Sequence, residues 1–332
     1  MTENRRSLVF LSAADVRAAL PMREAVDAMK SAFAALSSGD AVLPLRSRIA
    51  AARQKGSLLI MPCSVPSRGL LGLKAVTVYD GNAALGLPRI QALVILLNGD
   101  DGSPLAVLDG ASLTAIRTGA ASGAATDLLA RRDASTAAIL GAGVQGRTQL
   151  EAVCAVRAIR EAWVFDIDSH AAEVYAHEMR ASTGVAVKAA PSAASAVRSA
   201  DIICTATSAS SPVFADADLK AGVHINAVGS YRPDVQEVPA ETVLRARVVV
   251  DHRESALSEA GDILVPIRQG RCSPECIAAE LGEIAGGRRP GRCADDEITF
   301  FKSVGVAIQD LAAAAAALDN ARKLGLGTTI PL

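Results

Sequence analysis

The sequence predicts an α/β protein of two domains, one built on a doubly wound parallel sheet and the other on a mixed sheet. Strand-like and helix-like segments alternate through the middle of the chain, whereas short strand-like runs follow one another in its first third. Three glycines at G-x-G-x-x-G spacing come directly after an apolar stretch, in AAILGAGVQG. With 332 residues, half of them hydrophobic, the chain is long enough to build two domains with substantial cores.

The first third of the chain is predicted to be mixed α/β. Residues 15–36 carry apolar side chains at helical spacing, and Gly39 ends that pattern. Runs with strand character follow, separated by turn-forming residues. These runs are Ser57–Met61, Leu71–Val78, Gln91–Leu97 and Leu105–Leu108. Short strands in direct succession are typical of an antiparallel or mixed sheet.

The pattern changes at Ser112, where a helix rich in glycine, alanine and serine is predicted as far as Leu129. The predicted strands after it are Thr136–Leu140, Ala162–Phe165, Val185–Val187, Asp201–Thr205, His224–Val228 and Arg247–Val250. The helices predicted between them are Val144–Val156, Ala171–Arg180 and Ser192–Ser199. This alternation indicates a doubly wound parallel sheet. The tail, Asp295–Leu324, is predicted to be helical and to return to the first domain.

Composition narrows the classes of function. The net charge of −1 and the paired, unclustered arginines give no footprint for nucleic acid or for an anionic membrane. No apolar segment approaches the length of about 20 residues that spans a bilayer. Six scattered cysteines fit a reducing compartment, so the cytoplasm is the expected location. Cys272, Cys276 and Cys293 have poor zinc-ligand spacing and no nearby histidine, and no metal is expected.

The glycine motif has the context that a dinucleotide site requires. It follows a predicted strand and opens a predicted helix, and a second strand then ends at Asp166, twenty positions after Gly146. Gly141 would make the tight turn, Gly143 would let the pyrophosphate approach the backbone, and Gly146 would let helix and strand close up. A carboxylate at Asp166 would accept bonds from the ribose hydroxyls and repel a 2′-phosphate, which favours NAD over NADP. The alternative is an ordinary glycine turn with a surface aspartate.

Three basic residues lie in segments that are otherwise apolar or small: Arg46 in LPLRSRI, Lys74 in GLKAVTV and Arg117 in LTAIRTGAAS. Each could be a solvated surface cation. Together they suggest an anion site, because an arginine fork matches a carboxylate and a lysine supplies a point charge and a proton. Arg48 competes with Arg46, since strand alternation puts both side chains on the same side.

The chain also resembles a known family, the ornithine cyclodeaminase/mu-crystallin family, over nearly its whole length. The resemblance implies a Rossmann domain at 119–301 inserted into a substrate-binding and dimerisation domain at 1–118 plus 302–332. It also implies that Arg46, Lys74 and Arg117 hold the substrate carboxylate near the nicotinamide. The segments that carry the resemblance are LPLRSRI, LLIMP, GLKAVTVYDGN, PLAVLDGASLTAIRTGAAS, ILGAGVQG, ADIICTATSASSPV, INAVGSYRPDVQEV and ITFFKSVGVAIQD.

Further cofactor contacts are predicted along with this resemblance. Thr118 and Gln145 are expected at the cofactor phosphates, and Asp166 at the ribose. The full set of predicted cofactor contacts is Asn82, Thr118, Gly141, Gly143, Val144, Gln145, Gly146, Asp166, Thr205, Thr207, Val228 and Ser230.

The chain departs from the cyclodeaminases of this family at two positions. Their catalytic glutamate, two residues before Met-Pro, is replaced by Leu59, and the catalytic aspartate of the later loop is replaced by Tyr231, with Asp234 as the nearest acid. These changes favour an NAD-dependent imine reductase or amino-acid dehydrogenase. The alternatives are a cyclodeaminase that recycles its NAD and a non-catalytic binding protein like mu-crystallin.

The expected reaction is hydride transfer at the α-carbon of a small 2-imino or 2-amino acid. Lys74, with its pKa lowered by burial and by two arginines, is the expected catalytic proton donor. Asp234 is the second predicted catalytic residue, holding the amine or relaying a proton, although it could equally be a turn residue after Pro233. The substrate side chain stays open. A homodimer is expected, because serial short strands leave a sheet edge to cover.

Overall fold

The structure, a computed structural model, describes residues 7–51 and 56–332. The chain folds into two compact units. The N-terminal unit comprises residues 1–117 and 306–332, and the central unit comprises residues 118–305. The boundaries predicted from the sequence are 118/119 and 301/302.

The N-terminal unit contains a seven-stranded mixed sheet. Its strands are β1 (Ser7–Leu11), β2 (Ser47–Ala51), β3 (Gly56–Val65), β4 (Leu70–Val78), β5 (Ile90–Asn98), β6 (Pro104–Asp109) and β15 (Thr328–Pro331). The order is β15-β1-β6-β5-β4-β3-β2, and every neighbouring pair is antiparallel except β1 with β6. The predicted mixed sheet is therefore confirmed, and β1, β2 and β15 are strands that the sequence analysis did not find.

Among the described residues, three α-helices lie wholly in the N-terminal unit: α1 (Ala13–Ala19), α2 (Met22–Ser37) and α11 (Ala307–Leu324). The prediction of one helix over residues 15–36 was wrong, because the helix is interrupted at Leu20 and Pro21. Proline lacks the amide donor that a continuous helix requires at this point and starts α2 instead. Ser12 begins α1 through a capping box with Asp15.

Helix α11 packs on β3, β4 and β5. A side chain at Gly72 of β4 would overlap the carbonyl oxygen of Ile95 and lie 2.8 Å from Leu311 of the helix, so glycine permits this close approach. Alternation along β4 then points Gly72, Lys74 and Val76 towards α11. Lys74 pairs in register with Met61 of β3 and Val94 of β5, in the middle of the sheet.

The central unit contains an eight-stranded sheet in which every pairing is parallel. Its strands are β7 (Thr136–Leu140), β8 (Glu161–Phe165), β9 (Ala186–Ala189), β10 (Ile202–Thr205), β11 (His224–Ala227), β12 (Arg247–Val250), β13 (Ile277–Glu280) and β14 (Thr299–Lys302). The order is β13-β12-β14-β11-β10-β7-β8-β9. The tail prediction was wrong at β14, where a strand replaces the expected helix.

The helices of the central unit cover both faces of this sheet. They are α4 (Val144–Val156), α5 (Ser169–Thr183), α6 (Ala193–Val197), α7 (Ala240–Arg245), α8 (Arg253–Glu259), α9 (Gly261–Arg268) and α10 (Leu281–Ala285), and α3 (Gly110–Leu129) runs across the boundary between the units. Alternate residues of β7 enter two separate hydrophobic clusters: Ala138 and Leu140 pack in one, Ala137 and Ile139 in the other. The predicted doubly wound fold is confirmed. No helix within the described ranges is long and apolar enough to cross a membrane.

Candidate functional site

The glycine motif lies where β7 turns into α4. Gly141 has a φ of 106°, and a side chain there would lie 2.5 Å from the carbonyl oxygen of Ala206. Gly143 caps α4 without a side-chain hydrogen bond, and the space that its side chain would occupy is open. The N–H groups of the first turn of α4 are thus available to an anion that approaches the backbone closely.

Gly146 packs α4 against the turn, since a side chain there would overlap the carbonyl oxygen of Gly141. Tyr175 of α5 donates its hydroxyl to the carbonyl oxygen of Gly146 at 2.9 Å. Arg147 donates to the carbonyl oxygen of Ala142 at 2.5 Å and is paired with Glu178 at 2.6 Å. These bonds hold the loop in one conformation. Because they engage carbonyl oxygens, they leave the N–H groups at the start of α4 available to a ligand.

Asp166 follows the last residue of β8, the neighbour of β7. Its carboxylate accepts the Ala142 amide at 2.8 Å and the Asp168 amide at 3.0 Å, so it adjoins the glycine loop. The Oε1 atom of Gln145 is buried without a hydrogen-bond partner in the described part of the chain. The uncapped helix start and the open space at Gly143 fit the pyrophosphate of a dinucleotide. The carboxylate of Asp166 and the unpaired amide oxygen of Gln145 are acceptors that fit the ribose hydroxyls. Val144, also predicted at the cofactor, is exposed beside them.

The other predicted cofactor contacts lie outside the glycine loop itself. Thr205 is the last residue of β10 and Thr207 follows it, while Val228 and Ser230 follow β11. The two threonine hydroxyls and the Ser230 amide all donate to Glu237. The carbonyl oxygen of Thr118 accepts the side-chain amide of Gln149 at 3.4 Å. In the N-terminal unit, Asn82 is buried in a 3-10 turn and donates to the carbonyl oxygen of Pro88 at 2.8 Å.

In the N-terminal unit the structure brings Lys74 and Arg117 together on one carboxylate, that of Asp310 in α11. Lys74 Nζ lies 2.7 Å from Asp310 Oδ2, and Arg117 Nε lies 3.0 Å from Asp310 Oδ1. None of the three side chains is more than 7% exposed. Arg117 also donates to Gln309 at 3.1 Å. We call Lys74, Arg117 and Asp310 the cation cluster.

The charges of the cation cluster perturb each other. The pKa of Lys74 is lowered to about 8, because burial and the neighbouring charge of Arg117 outweigh the opposing influence of Asp310. Burial acts to raise the pKa of Asp310, but Arg117 and Lys74 outweigh it and hold that pKa below its usual value. Two cations against one carboxylate leave an excess of positive charge, so the cluster can bind an anion and hold a proton that is exchangeable near neutral pH.

Arg46 precedes β2 and is half-buried, and its positive charge also lowers the pKa of Lys74. Arg48 lies within β2 and is exposed. Leu59, opposite Arg48 in the register, places no carboxylate on β3. In the central unit, Asp234 is exposed and pairs with Arg232 at 3.3 Å. No group of three or more potential metal ligands occurs among residues 7–51 and 56–332.

Asp310, Gln309 and Glu237 were not predicted from the sequence as site residues. Asp310 stands in AIQDLAAAAAALDN, where the first of two acids in an alanine-rich helix was the available signal. A charged residue within an apolar stretch needs a partner if it is buried. Nothing in the sequence identifies that partner as Lys74, which is 236 positions away.

Comparisons with known proteins identify a family for the whole chain. The sequence model of the ornithine cyclodeaminase/mu-crystallin family matches residues 6–324. The chain is 40% identical to a Delta(1)-pyrroline-2-carboxylate reductase of Bacillus cereus, over 97% of this chain and 99% of that protein.

Two solved structures are similar over nearly the whole length. The Delta(1)-pyrroline-2-carboxylate reductase of Thermococcus litoralis, in complex with NADH and L-proline, superimposes with a TM-score of 0.93 and 41% identity, over 97% of this chain and all of that one. An archaeal alanine dehydrogenase dimer with bound NAD superimposes with a TM-score of 0.91 and 35% identity, over 98% and 99% of the two chains.

Proposed function

Because the chain belongs to the ornithine cyclodeaminase/mu-crystallin family, we propose that it reduces Δ1-pyrroline-2-carboxylate, a cyclic 2-imino acid, to L-proline. The broader activity is NAD(H)-dependent oxidoreduction at the carbon–nitrogen bond of a small 2-imino or 2-amino acid. The observation that carries the proposal is the cation cluster, in which a lysine with a pKa of about 8 adjoins a buried arginine. A 2-imino acid needs both an anion contact and a proton donor.

Each member of the cation cluster has a role in this proposal. Arg117, with Arg46, binds the substrate carboxylate, because a guanidinium forms two parallel bonds to a carboxylate. Lys74 holds a proton near neutral pH and supplies it at the imine nitrogen. Asp310 keeps Lys74 and Arg117 in place and offsets part of their charge. Without it, two buried cations would repel each other.

The cofactor, NAD(H), belongs to the central unit in this proposal. The amides at the start of α4 and the open space at Gly143 would hold the pyrophosphate, and Asp166 would accept the ribose hydroxyls. When bound, NADH supplies a hydride to the imine carbon. Asp166 disfavours a 2′-phosphate because two negative charges would meet at close range.

The alternative of ornithine cyclodeamination needs carboxylates to handle the second amine. The two positions that supply them in the cyclodeaminases of the family hold Leu59 and Tyr231 here. Asp234, the nearest acid to Tyr231, is exposed and paired with Arg232. The second alternative, a binding protein without catalysis, gives no chemical reason for a lysine and an arginine buried on one carboxylate.

A substrate screen with NADH tests the reductase proposal. We expect Δ1-pyrroline-2-carboxylate to oxidise NADH and yield proline, more efficiently than Δ1-piperideine-2-carboxylate or pyruvate with ammonia. L-Ornithine is the discriminating compound, because a cyclodeaminase releases ammonia from it without net change in NADH absorbance. Ammonia release from ornithine, or no oxidation with any imine, would contradict the proposal. A preference for pyruvate with ammonia would make the enzyme an alanine dehydrogenase instead.

We further propose that the protein is a homodimer formed through the face of the seven-stranded sheet opposite α11. Register puts apolar side chains on that face along four neighbouring strands. They include Ile49, Leu58, Ile60, Leu73, Leu93 and Ile95. Ile49 and Leu93 are 59% and 47% exposed in the single chain. A continuous apolar face of this kind indicates a partner, and a symmetric pair is the commonest arrangement.

Light scattering on the purified protein tests the dimer. We expect a mass of about twice 34.1 kDa, and about 34.1 kDa for Leu93→Lys, which places a charge on the apolar face. Leu244→Lys is the matched control, because Leu244 is 40% exposed on α7 in the other unit and should leave the mass unchanged. A wild-type monomer at micromolar concentration would refute the proposal.

We also propose that the protein works in the cytoplasm. All six cysteines carry free thiols, which suits a reducing compartment. Fractionation of the native host with an antibody to the protein tests this location, and recovery outside the cytoplasmic fraction would contradict it.

A further inference from the structure

A buried carboxylate joins the two loops that follow β10 and β11. Glu237 is fully buried, and each of its oxygens accepts two bonds. Oε1 accepts the amide and the hydroxyl of Thr207, both at 2.7 Å. Oε2 accepts the Ser230 amide at 2.9 Å and the Thr205 hydroxyl at 3.2 Å. A side chain at Gly229 would overlap the carbonyl oxygen of Thr207 and lie 2.5 Å from both Glu237 oxygens, so the contact depends on glycine.

The backbone of Glu237 is held by a buried ion pair between Asp262 and Lys302. Asp262 accepts the amides of Glu237 and Val238 at 2.7 and 3.0 Å. Lys302 lies 2.8 Å from Asp262 and donates to the carbonyl oxygen of Ser230 at 2.6 Å. Removing three charged groups from water costs several kcal/mol each, and an apolar core of similar volume would be cheaper. The bonds from these buried groups connect the two loops to each other and to Glu237.

These two loops lie at the topological switch point of the parallel sheet. The chain runs from β7 outward through β8 and β9, then returns to β10 on the other side of β7. The loop after β10 touches the glycine turn, since a side chain at Gly141 would meet Ala206 and Thr207. Dinucleotides bind across such a switch point, with one half at each set of strand ends. Asp166 marks the β8 side as the adenosine half, so the β10 and β11 loops face the nicotinamide half.

We propose that Glu237 is a positioning residue for the nicotinamide half of the cofactor. This inference rests on the NAD(H)-dependent function proposed above. By accepting bonds from Thr205, Thr207 and Ser230, the carboxylate fixes both loops before the cofactor arrives. The cofactor then binds without the free-energy cost of ordering them. These three residues thus contribute to the cofactor site through their bonds to Glu237, in place of direct hydroxyl contacts.

Equilibrium binding of NADH and of ADP, without substrate, tests the role of Glu237. ADP lacks the nicotinamide and reports on the glycine loop alone. In Glu237→Gln an amide nitrogen must face the amide donor of Thr207 or Ser230, so we expect the Kd for NADH to rise about tenfold or more. The Kd for ADP should stay within about twofold of the wild-type value. Glu241→Gln is the matched control, with an exposed carboxylate on α7, and should change neither Kd.

Thr205→Val provides a second variant in case Glu237→Gln folds poorly. Thr205 is fully buried, so it acts on the cofactor only through Glu237. We expect Thr205→Val to raise the Kd for NADH less than Glu237→Gln does, and to leave the Kd for ADP unchanged. Equal changes for NADH and ADP, or no change for NADH, would overturn the inference. The assay contains no substrate, so the two Kd values still test the role of Glu237 if the imine-reductase proposal fails.

Discussion

Replacing Asp310 by asparagine should change the pH dependence of the reaction in a defined direction. In the structure the carboxylate lies 2.7 Å from Lys74 Nζ and 3.0 Å from Arg117 Nε. Asparagine has nearly the same shape but no charge, and its amide nitrogen is a donor that must face one of the two cations. The variant therefore keeps the packing of α11 and removes the influence that opposes the fall in the pKa of Lys74.

The magnitude follows from the position of that pKa, about 8 in the wild-type protein. An adjoining opposite charge moves a pKa by about 1 to 3 pH units, and its removal should lower that of Lys74 by a similar amount. With a fall of about 2, protonated Lys74 at pH 8 drops from about half of the molecules to about one in a hundred. The loss in kcat/KM should then be about 50-fold at pH 8 but only about twofold at pH 6. The free energy of unfolding should decrease by about 3–5 kcal/mol, because two buried cations lose their counter-ion.

The assay is the pH profile of kcat/KM with NADH and the cyclic imine. Asp310→Glu retains the charge and should keep its alkaline limb near the wild-type position. Asp319→Asn is the matched control, because Asp319 is exposed on the same helix and touches none of the cluster. An alkaline limb of Asp310→Asn that stays in place or moves to higher pH would refute the role given to Lys74.

Four further variants and one control, Arg48→Ala, test the substrate and cofactor parts of the proposed site. Lys74→Met should depress kcat strongly and abolish the alkaline limb; near-normal turnover would contradict its role as proton donor. Arg117→Ala should cost about 2–5 kcal/mol in kcat/KM for the imine with little change in the Kd for NADH, whereas exposed Arg48→Ala should be mild. Asp166→Ala should narrow the preference for NADH over NADPH by about tenfold, and a wild-type preference for NADPH would refute the assignment. Gly146→Ala should weaken NADH binding, measured by titration, because its methyl group overlaps the carbonyl oxygen of Gly141.

The parallel sheet and the glycine loop could be predicted from the sequence because their determinants are local. Strand and helix periodicities, and a turn that only glycine permits at a φ of 106°, are contained within a few residues of Gly141. Asp166 was found for the same reason, since one βα unit sets its distance from the loop. The short strands β1, β14 and β15 were missed because four or five residues carry little periodicity, and their pairing partners are distant in the sequence.

The partners of the buried charges were decided by the tertiary structure alone. Lys74 and Arg117 are visible in the sequence as charges in apolar or small surroundings, whereas Glu237 carries no such signal. Which group faces each of them depends on how α11 crosses β4, and on how the chain returns to place the β10 and β11 ends side by side. A buried charge is stable only beside a partner, and a partner 193 or 236 positions away is brought there by packing. The chemistry of the cation cluster therefore comes from a contact between distant segments that no local pattern encodes.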